Sequence, residues 1–171
     1  MTTIKRVLIH SSLILLGSSL LAACSPQGSP QVDTSVDASR YDLQLDIKAY
    51  MNMVLDPISD VLWDYAGWVD DVNTGYEELY PTNDEEWLMV QQRAAQLIEA
   101  GNALALPGRA MDDDGWVTYA NALSQAASLA YSAASSRNQE DFFQAGAQIY
   151  SVCSACHQTY NPEISKFVNK N

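Results

Sequence analysis

The sequence has few histidines, few cysteines and few basic residues. Each shortage limits the kinds of site and partner that the protein can have. Its 171 residues include two histidines, three cysteines, and nine lysines and arginines against 21 aspartates and glutamates, so the formal net charge is −12 at pH 7. A surface of that sign repels nucleic acid and anionic lipid headgroups. It favours a partner with a basic docking patch, and the alternative reading is a surface that is acidic for solubility alone.

The longest apolar run is too short to span a membrane comfortably. It covers residues 7–21, is interrupted by serines and follows a basic pair at residues 5–6, which is the order found in export signals. Residues 21–24, Leu-Ala-Ala-Cys, resemble the end of a bacterial lipoprotein signal, in which the cysteine receives a diacylglycerol. We therefore expect Cys24 to be lipidated and residues 1–23 to be removed. The alternatives are an ordinary signal peptide with an incidental cysteine and an uncleaved anchor helix.

Lipid on Cys24 would hold the folded part at a membrane surface, because each buried methylene contributes about 0.8 kcal/mol. Ser25, in place of aspartate after the cysteine, resembles the outer-membrane sorting signal of Gram-negative lipoproteins. The expected location is the periplasmic face of a bacterial membrane, with the outer membrane favoured. Residues 24–40 are polar and lack a periodic apolar face, so they are predicted to be a flexible tether. This leaves residues 41–171 as a single domain.

Four apolar stripes with spacings of three and four residues predict four amphipathic helices, and no β-alternation competes with them. The first stripe covers residues 41–65. It contains Pro57, which is expected to kink the helix or to mark a second helical start after Asp56. The segment 67–83 is rich in turn residues and is predicted to be a loop whose aromatic side chains pack on the helices.

The other three helices have recognisable start and stop signals. Residues 82–85 have the form of a capping box before the second stripe, and residues 107–108, Pro-Gly, end it. Residues 112–115 form a turn before the third, alanine-rich stripe. Asn138 is the expected cap of the fourth helix, which ends before Pro162. The pattern predicts an all-α fold, an antiparallel four-helix bundle with helices packed at about 20°.

The two remaining cysteines lie in a haem-attachment motif near the C-terminus. With Cys24 assigned to lipid, Cys153-Ser-Ala-Cys156-His157 has the CxxCH pattern of c-type haem attachment. On a helix, positions i, i+3 and i+4 share a face, so both thiols can add to haem vinyl groups while the imidazole binds the iron. The prediction is one covalent haem c on the last helix, with His157 as its proximal ligand.

A thiol–disulfide pair, a zinc site and a plain core position are the alternatives for this motif. The first is typical of a βαβ setting, which the helical pattern lacks. Zinc needs a fourth ligand, but loss of His10 with the signal leaves His157 as the only histidine of the mature chain, and no second CxxC is present. The same shortage gives no support to peroxidase chemistry with a distal histidine, so we expect the protein not to be an enzyme.

Residues in three parts of the chain resemble the cytochrome c-prime and cytochrome c556 family. They are the CxxCH at residues 153–157, Met51 with Asp56-Pro57 and Trp63 on the first helix, and residues 106–109, Leu-Pro-Gly-Arg, after the second. The resemblance implies a four-helix bundle whose last helix attaches the haem and whose first helix covers its other side. It also implies a homodimer as one possible assembly.

A first-helix methionine completes the iron coordination in some members of that family, and in others a non-ligating residue leaves the iron open to small gases. Met51 and Met53 are the candidates here, and they lie about 200° apart around a helix, so both cannot face one haem. Met51 is on the inward stripe and is the predicted sixth ligand. The alternative is a methionine that packs on the haem without ligating. The expected function is one-electron transfer, and binding of NO or CO by five-coordinate iron is the alternative.

Arg109 is the last candidate site residue. Basic side chains are scarce in this chain, and the resemblance implies a position near the haem pocket for Arg109. We expect its guanidinium to neutralise a haem propionate at the pocket rim through a charge-assisted pair. The alternative is a solvated arginine in a loop.

Overall fold

The computed structural model describes residues 38–163, and most of them are helical. The elements are a 3-10 turn (Ala38–Arg40), α1 (Ile47–Tyr50), a π-helical turn (Met51–Leu55), α2 (Asp56–Asp64), β1 (Trp68–Asp71), β2 (Gly75–Glu78), α3 (Asp84–Leu104), α4 (Gly115–Ser136) and α5 (Gln139–Tyr160). The prediction of a mainly α-helical fold is confirmed, with a small two-stranded sheet added. The predicted signal, Cys24 and most of the predicted tether lie outside the described residues. Among the helices of residues 38–163, none is both long enough and apolar enough to cross a membrane.

The first helix begins later than its apolar stripe predicted. Asp46 caps α1, because its Oδ1 accepts the amide hydrogen of Ala49 at 2.8 Å. The helix therefore starts at Ile47. From there α1, the π-helical turn and α2 follow one another without a break, since the residues at both junctions keep right-handed helical backbone angles.

Pro57 accounts for the π-helical turn. In an α-helix its ring would press on the carbonyl four residues back. The turn before it is wider, with the amide hydrogen of Asp56 bonded to the carbonyl of Met51, five residues back. Pro57 then lies in the first turn of α2, where its missing amide hydrogen has least effect. The helix therefore widens before Pro57 and continues into α2, instead of stopping and starting again after Asp56.

The starts of α3 and α5 are fixed by side-chain caps. Asn83 caps α3 by accepting the amide hydrogen of Glu86 at 3.0 Å, while the Glu86 carboxylate accepts the amide hydrogen of Thr82 at 2.6 Å. Asn138 caps α5 by accepting the amide hydrogen of Asp141 at 3.1 Å. Both helices therefore begin where the sequence predicted, although the capping pair of α3 is shifted by one residue.

The helices bury a common core. α3 packs against α4, α4 against α5, and α2 contacts both α3 and α5. α3 and α4 approach closely, because a Cβ at Gly101 would collide with Ser124 of α4. Burying a large apolar side chain contributes about 1.5–3 kcal/mol. The largest fully buried side chains are Phe142, Leu62, Leu97, Ile149 and Val90.

The segment 67–83 contains a β-hairpin, and the loop prediction for it was wrong. β1 and β2 pair antiparallel, with Trp68 opposite Glu78 at the open end. Gly75, with φ of +80°, begins β2 after the turn in a conformation that glycine adopts at little cost. Each strand has only four residues, too few for the alternation of a strand to stand out in the sequence.

The aromatic side chains of this segment pack on the helices only in part. The Trp68 ring lies 5.4 Å from the ring of Phe143 on α5, although 53% of the residue is exposed. Tyr80 is half-buried, whereas Tyr76 is 63% exposed. The packing prediction was therefore wrong for Tyr76.

Candidate functional site

A cavity of about 390 Å³ lies between the first helix, α3, α4 and α5. Its volume is typical of sites that hold a small molecule or cofactor. The wall is mainly apolar and aromatic, and polar groups project from it at a few positions. The apolar part includes Leu55, Trp63, Leu104, Trp116 and Leu123.

The CxxCH residues line this cavity from the last two turns of α5. Cys153, Cys156 and His157 are all on the wall, each is half-buried, and both cysteines are free thiols. The helical spacing therefore brings the two sulfur atoms and the imidazole to one space, and the predicted placement of the motif on the last helix is confirmed.

Burial keeps the two thiols protonated. Desolvation, with Cys156 and Asp56 as further causes, raises the pKa of the Cys153 thiol to about 11, and burial also raises the pKa of Cys156. Catalytic thiol–disulfide pairs instead depend on a lowered pKa, so the site disfavours that alternative. Among residues 38–163, no group of three or more His, Cys, Asp or Glu side chains is placed to hold a metal ion.

Met51 lines the cavity from the first helix. It is half-buried at the start of the π-helical turn, whereas Met53 is 69% exposed. Turns of this kind are frequent at functional sites. Of the two candidate methionines, the structure brings only Met51 to the cavity that the CxxCH residues share.

Two polar residues of the wall were not assigned a site role from the sequence. Burial raises the pKa of the Asp56 carboxyl and the nearby charge of Asp60 raises it further, while His157 lowers it. Ser59 is only 4% exposed and lies on the same wall. The signal that would have found Ser59 is its position one turn after Leu55, on the inward face. Together, Asp56 and Ser59 add hydrogen-bonding groups to a wall that is otherwise mainly apolar.

Arg109 is not part of the cavity wall. Its guanidinium carbon lies 4.2 Å from the centroid of the Tyr50 ring, and its Nη1 donates to the carbonyl of Ala103 at 3.2 Å. Its Nε is buried and has no hydrogen-bond partner among residues 38–163. The side chain is therefore a half-buried link between the first helix, next to Met51, and the loop after α3. A role toward a haem propionate stays a prediction.

Tyr160 anchors the end of α5. Its hydroxyl donates to Oδ2 of Asp112 at 2.5 Å, and its ring packs edge-on against Trp116 and Tyr119 at 5.1 and 6.2 Å. The other oxygen of Asp112 accepts the amide hydrogen of Trp116, in the first turn of α4. Tyr160 lies one turn after His157, so this anchor fixes the turn that carries the imidazole.

We expect the Tyr160 hydroxyl to ionise near pH 12, because donation to Asp112, followed by burial, raises its pKa from 10.0 to about 12. A group whose folded pKa is raised stabilises the fold fully below its unfolded pKa. The contribution of the anchor should therefore be complete below pH 10 and be lost as the pH rises through about 12. Ultraviolet titration of tyrosinate, together with unfolding measured over the same pH range, checks this.

The Tyr160→Phe variant should lack the ionisation near pH 12. Tyr76→Phe removes an exposed tyrosine outside the anchor and is the matched control, in which that ionisation should remain. An identical alkaline titration for Tyr160→Phe and the unaltered protein would contradict the anchor.

Comparison with known proteins gives no match for this chain. No family model matches it, and no curated protein or solved structure does. A functional assignment therefore depends on the residues and geometry of the cavity.

Proposed function

We propose that the protein is a c-type cytochrome that carries one electron, with a single haem c in the cavity between the first helix and α5. The observation that carries this proposal is the placement of Cys153, Cys156, His157 and Met51 around one largely apolar cavity. These four side chains fit a haem c. They supply two protonated thiols at the attachment spacing, one imidazole, and one thioether sulfur on another helix.

Each residue then has a separate task. Cys153 and Cys156 would hold the haem through thioether bonds, each S–H adding across one vinyl double bond so that no atom is lost. His157 and Met51 would hold the iron, and a histidine–methionine pair raises the reduction potential of a haem. When bound, the haem supplies a one-electron ferric–ferrous couple. The apolar wall excludes water from that couple, and the Tyr160 anchor holds the last turn of α5 in place.

We also infer that the four helical stretches form an antiparallel four-helix bundle, as the resemblance to the cytochrome c-prime family implies. Contacts between helix ends support this arrangement. Arg137, after the end of α4, pairs with Asp84 at the start of α3 at 3.0 Å. Trp63, near the end of α2, donates its indole N–H to the carbonyl of Gly146 in the first half of α5 at 3.1 Å. Each contact brings the end of one helix to the beginning of another.

The proposal extends to the location of the protein. Lipid on Cys24 would tether the domain to the periplasmic face of a bacterial membrane, with the outer membrane favoured by Ser25. The net charge of −12 supports a redox partner with a basic surface and disfavours nucleic acid.

Absorption spectra of the purified protein, oxidised and reduced, with and without carbon monoxide, test the function. We expect a low-spin reduced spectrum that carbon monoxide does not change, because iron held by both His157 and Met51 would have no open site for the gas. Mass spectrometry after denaturation should find one haem retained by the chain. Absence of retained haem would contradict the proposal. High-spin iron that binds carbon monoxide would contradict electron transfer and favour the gas-binding alternative.

A further inference from the structure

We propose that the hairpin of β1 and β2 is a docking surface for a basic redox protein. The redox character of this partner rests on the proposed function, whereas the surface itself is defined by the exposed residues of the hairpin. Four features support it: the side chains of one hairpin face, the lack of compensating cations among residues 38–163, the contacts at the turn and base of the hairpin, and its connection to the cavity.

One face of the hairpin combines aromatic and acidic side chains. The antiparallel pairing sets Trp68 opposite Glu78 and Asp70 opposite Tyr76, and alternate residues of a strand share a face. These four residues, which we call the acidic-aromatic face, place each aromatic ring directly across from a carboxylate. Both aromatic residues are more than half exposed. Exposed aromatic residues are enriched where proteins bind one another.

The negative charge of the hairpin has no compensating cation nearby in the sequence. No lysine or arginine occurs between Lys48 and Arg93. The carboxylates of the hairpin therefore present a negative surface, which attracts a cationic partner. Among residues 38–163, no ion pair involves the carboxylates of the hairpin, which belong to Asp70, Asp71, Glu77 and Glu78.

Contacts hold the hairpin at its turn and at its base. In the turn, Oδ1 of Asp71 accepts the amide hydrogens of Asn73 and Thr74 at 2.8 and 3.3 Å. At the base, the Trp68 ring packs on Phe143 of α5. A surface ordered before binding loses less conformational entropy when a partner docks.

Phe143 also connects the hairpin to the cavity. Along α5, Phe143 precedes Tyr150 by two turns, which is about 10 Å at 1.5 Å per residue. Tyr150 lines the cavity, is 54% exposed and packs edge-on against Trp63 of the same wall, with ring centroids 6.2 Å apart. A protein docked on the acidic-aromatic face would therefore lie near the exposed rim of the cavity. Electron exchange with a haem in the cavity requires such proximity.

The carboxylates favour a protein over a membrane as the occupant. Exposed tryptophan and tyrosine also suit a membrane interface. The carboxylates beside them would face the negative headgroups of anionic lipids, which is unfavourable. A protein surface with lysines and arginines around an apolar patch would match both the carboxylates and the aromatic rings of the face.

A basic mitochondrial cytochrome c serves as the probe. Its affinity for the purified protein is measured by calorimetry, and electron exchange is measured by stopped flow. The double variant Asp70→Asn with Glu78→Gln should weaken binding at low salt on the order of tenfold and reduce its salt dependence. Tyr76→Ser should weaken binding at low and high salt alike, because the lost contact is apolar. The control, Asp42→Asn with Glu99→Gln, changes the net charge equally at exposed positions elsewhere and should alter binding less than about twofold.

Equal binding by the hairpin and control variants, or no binding by the unaltered protein at low salt, would overturn the docking proposal. Neither result would affect the haem spectra on which the proposed function depends. Absence of covalent haem would contradict the proposed function and, with it, the redox character of the partner. Calorimetry needs no electron transfer, so it would still decide whether a basic protein docks on the hairpin. Binding to phosphatidylglycerol vesicles that Tyr76→Ser abolishes would assign the hairpin to a membrane and overturn the proposal.

Discussion

Replacing both motif cysteines by serine should give a protein from which haem is completely extracted by acid and organic solvent. Cys153 and Cys156 are free thiols on the cavity wall. The proposal assigns both covalent bonds to them, and a serine hydroxyl does not replace a thiol in this addition. Mass spectrometry of the denatured protein should show one added haem for the unaltered chain and none for the double variant. Each single variant should retain at most one thioether bond.

The matched control is Ser151→Ala, on the same helix. Ser151 is exposed, and its hydroxyl donates to the carbonyl of Ala147 at 2.9 Å within α5. This variant should keep its covalent haem. An unaltered chain that lacks haem and is lighter by two hydrogens would instead indicate a disulfide between Cys153 and Cys156. That result would restore the thiol–disulfide alternative.

Much of the helical structure could be predicted because its determinants are local. Asn83 and Asn138 cap helices through amides three residues away, and the apolar spacing identifies the faces that those helices bury. Pro57 likewise acts on its own turn, where the helix widens and continues into α2. The CxxCH motif is local too, so its helix and its common face followed from spacing alone.

The parts that sequence patterns missed depend on contacts between distant residues. Asp112 was interpreted as a turn residue, and its bond to Tyr160 exists only because α4 and α5 pack together over a separation of 48 residues. The contact of the Arg109 guanidinium with the Tyr50 ring likewise joins residues 59 positions apart, so no local pattern indicated it. The hairpin was missed because residues such as Tyr76 stay exposed, so no buried face produced an alternating pattern.

Met51→Leu should convert six-coordinate, low-spin iron into high-spin iron that binds carbon monoxide when reduced. Met51 is the cavity-lining methionine of the first helix, and leucine has no sulfur atom to offer the iron. The reduction potential should fall at the same time, because a methionine and histidine pair raises it. Exchange of methionine for leucine nearly conserves volume and typically costs less than about 1.5 kcal/mol. An almost unchanged thermal midpoint would therefore assign the spectral change to lost ligation.

The same change at Met53 is the control, because Met53 is 69% exposed on the other side of the helix and its variant should keep the low-spin spectrum. A low-spin spectrum that survives Met51→Leu would show that another group ligates the iron. High-spin iron in the unaltered protein would show instead that Met51 only packs in the cavity. Since closed iron favours electron transfer and open iron favours gas binding, this single side chain separates the two functions that the cavity can support.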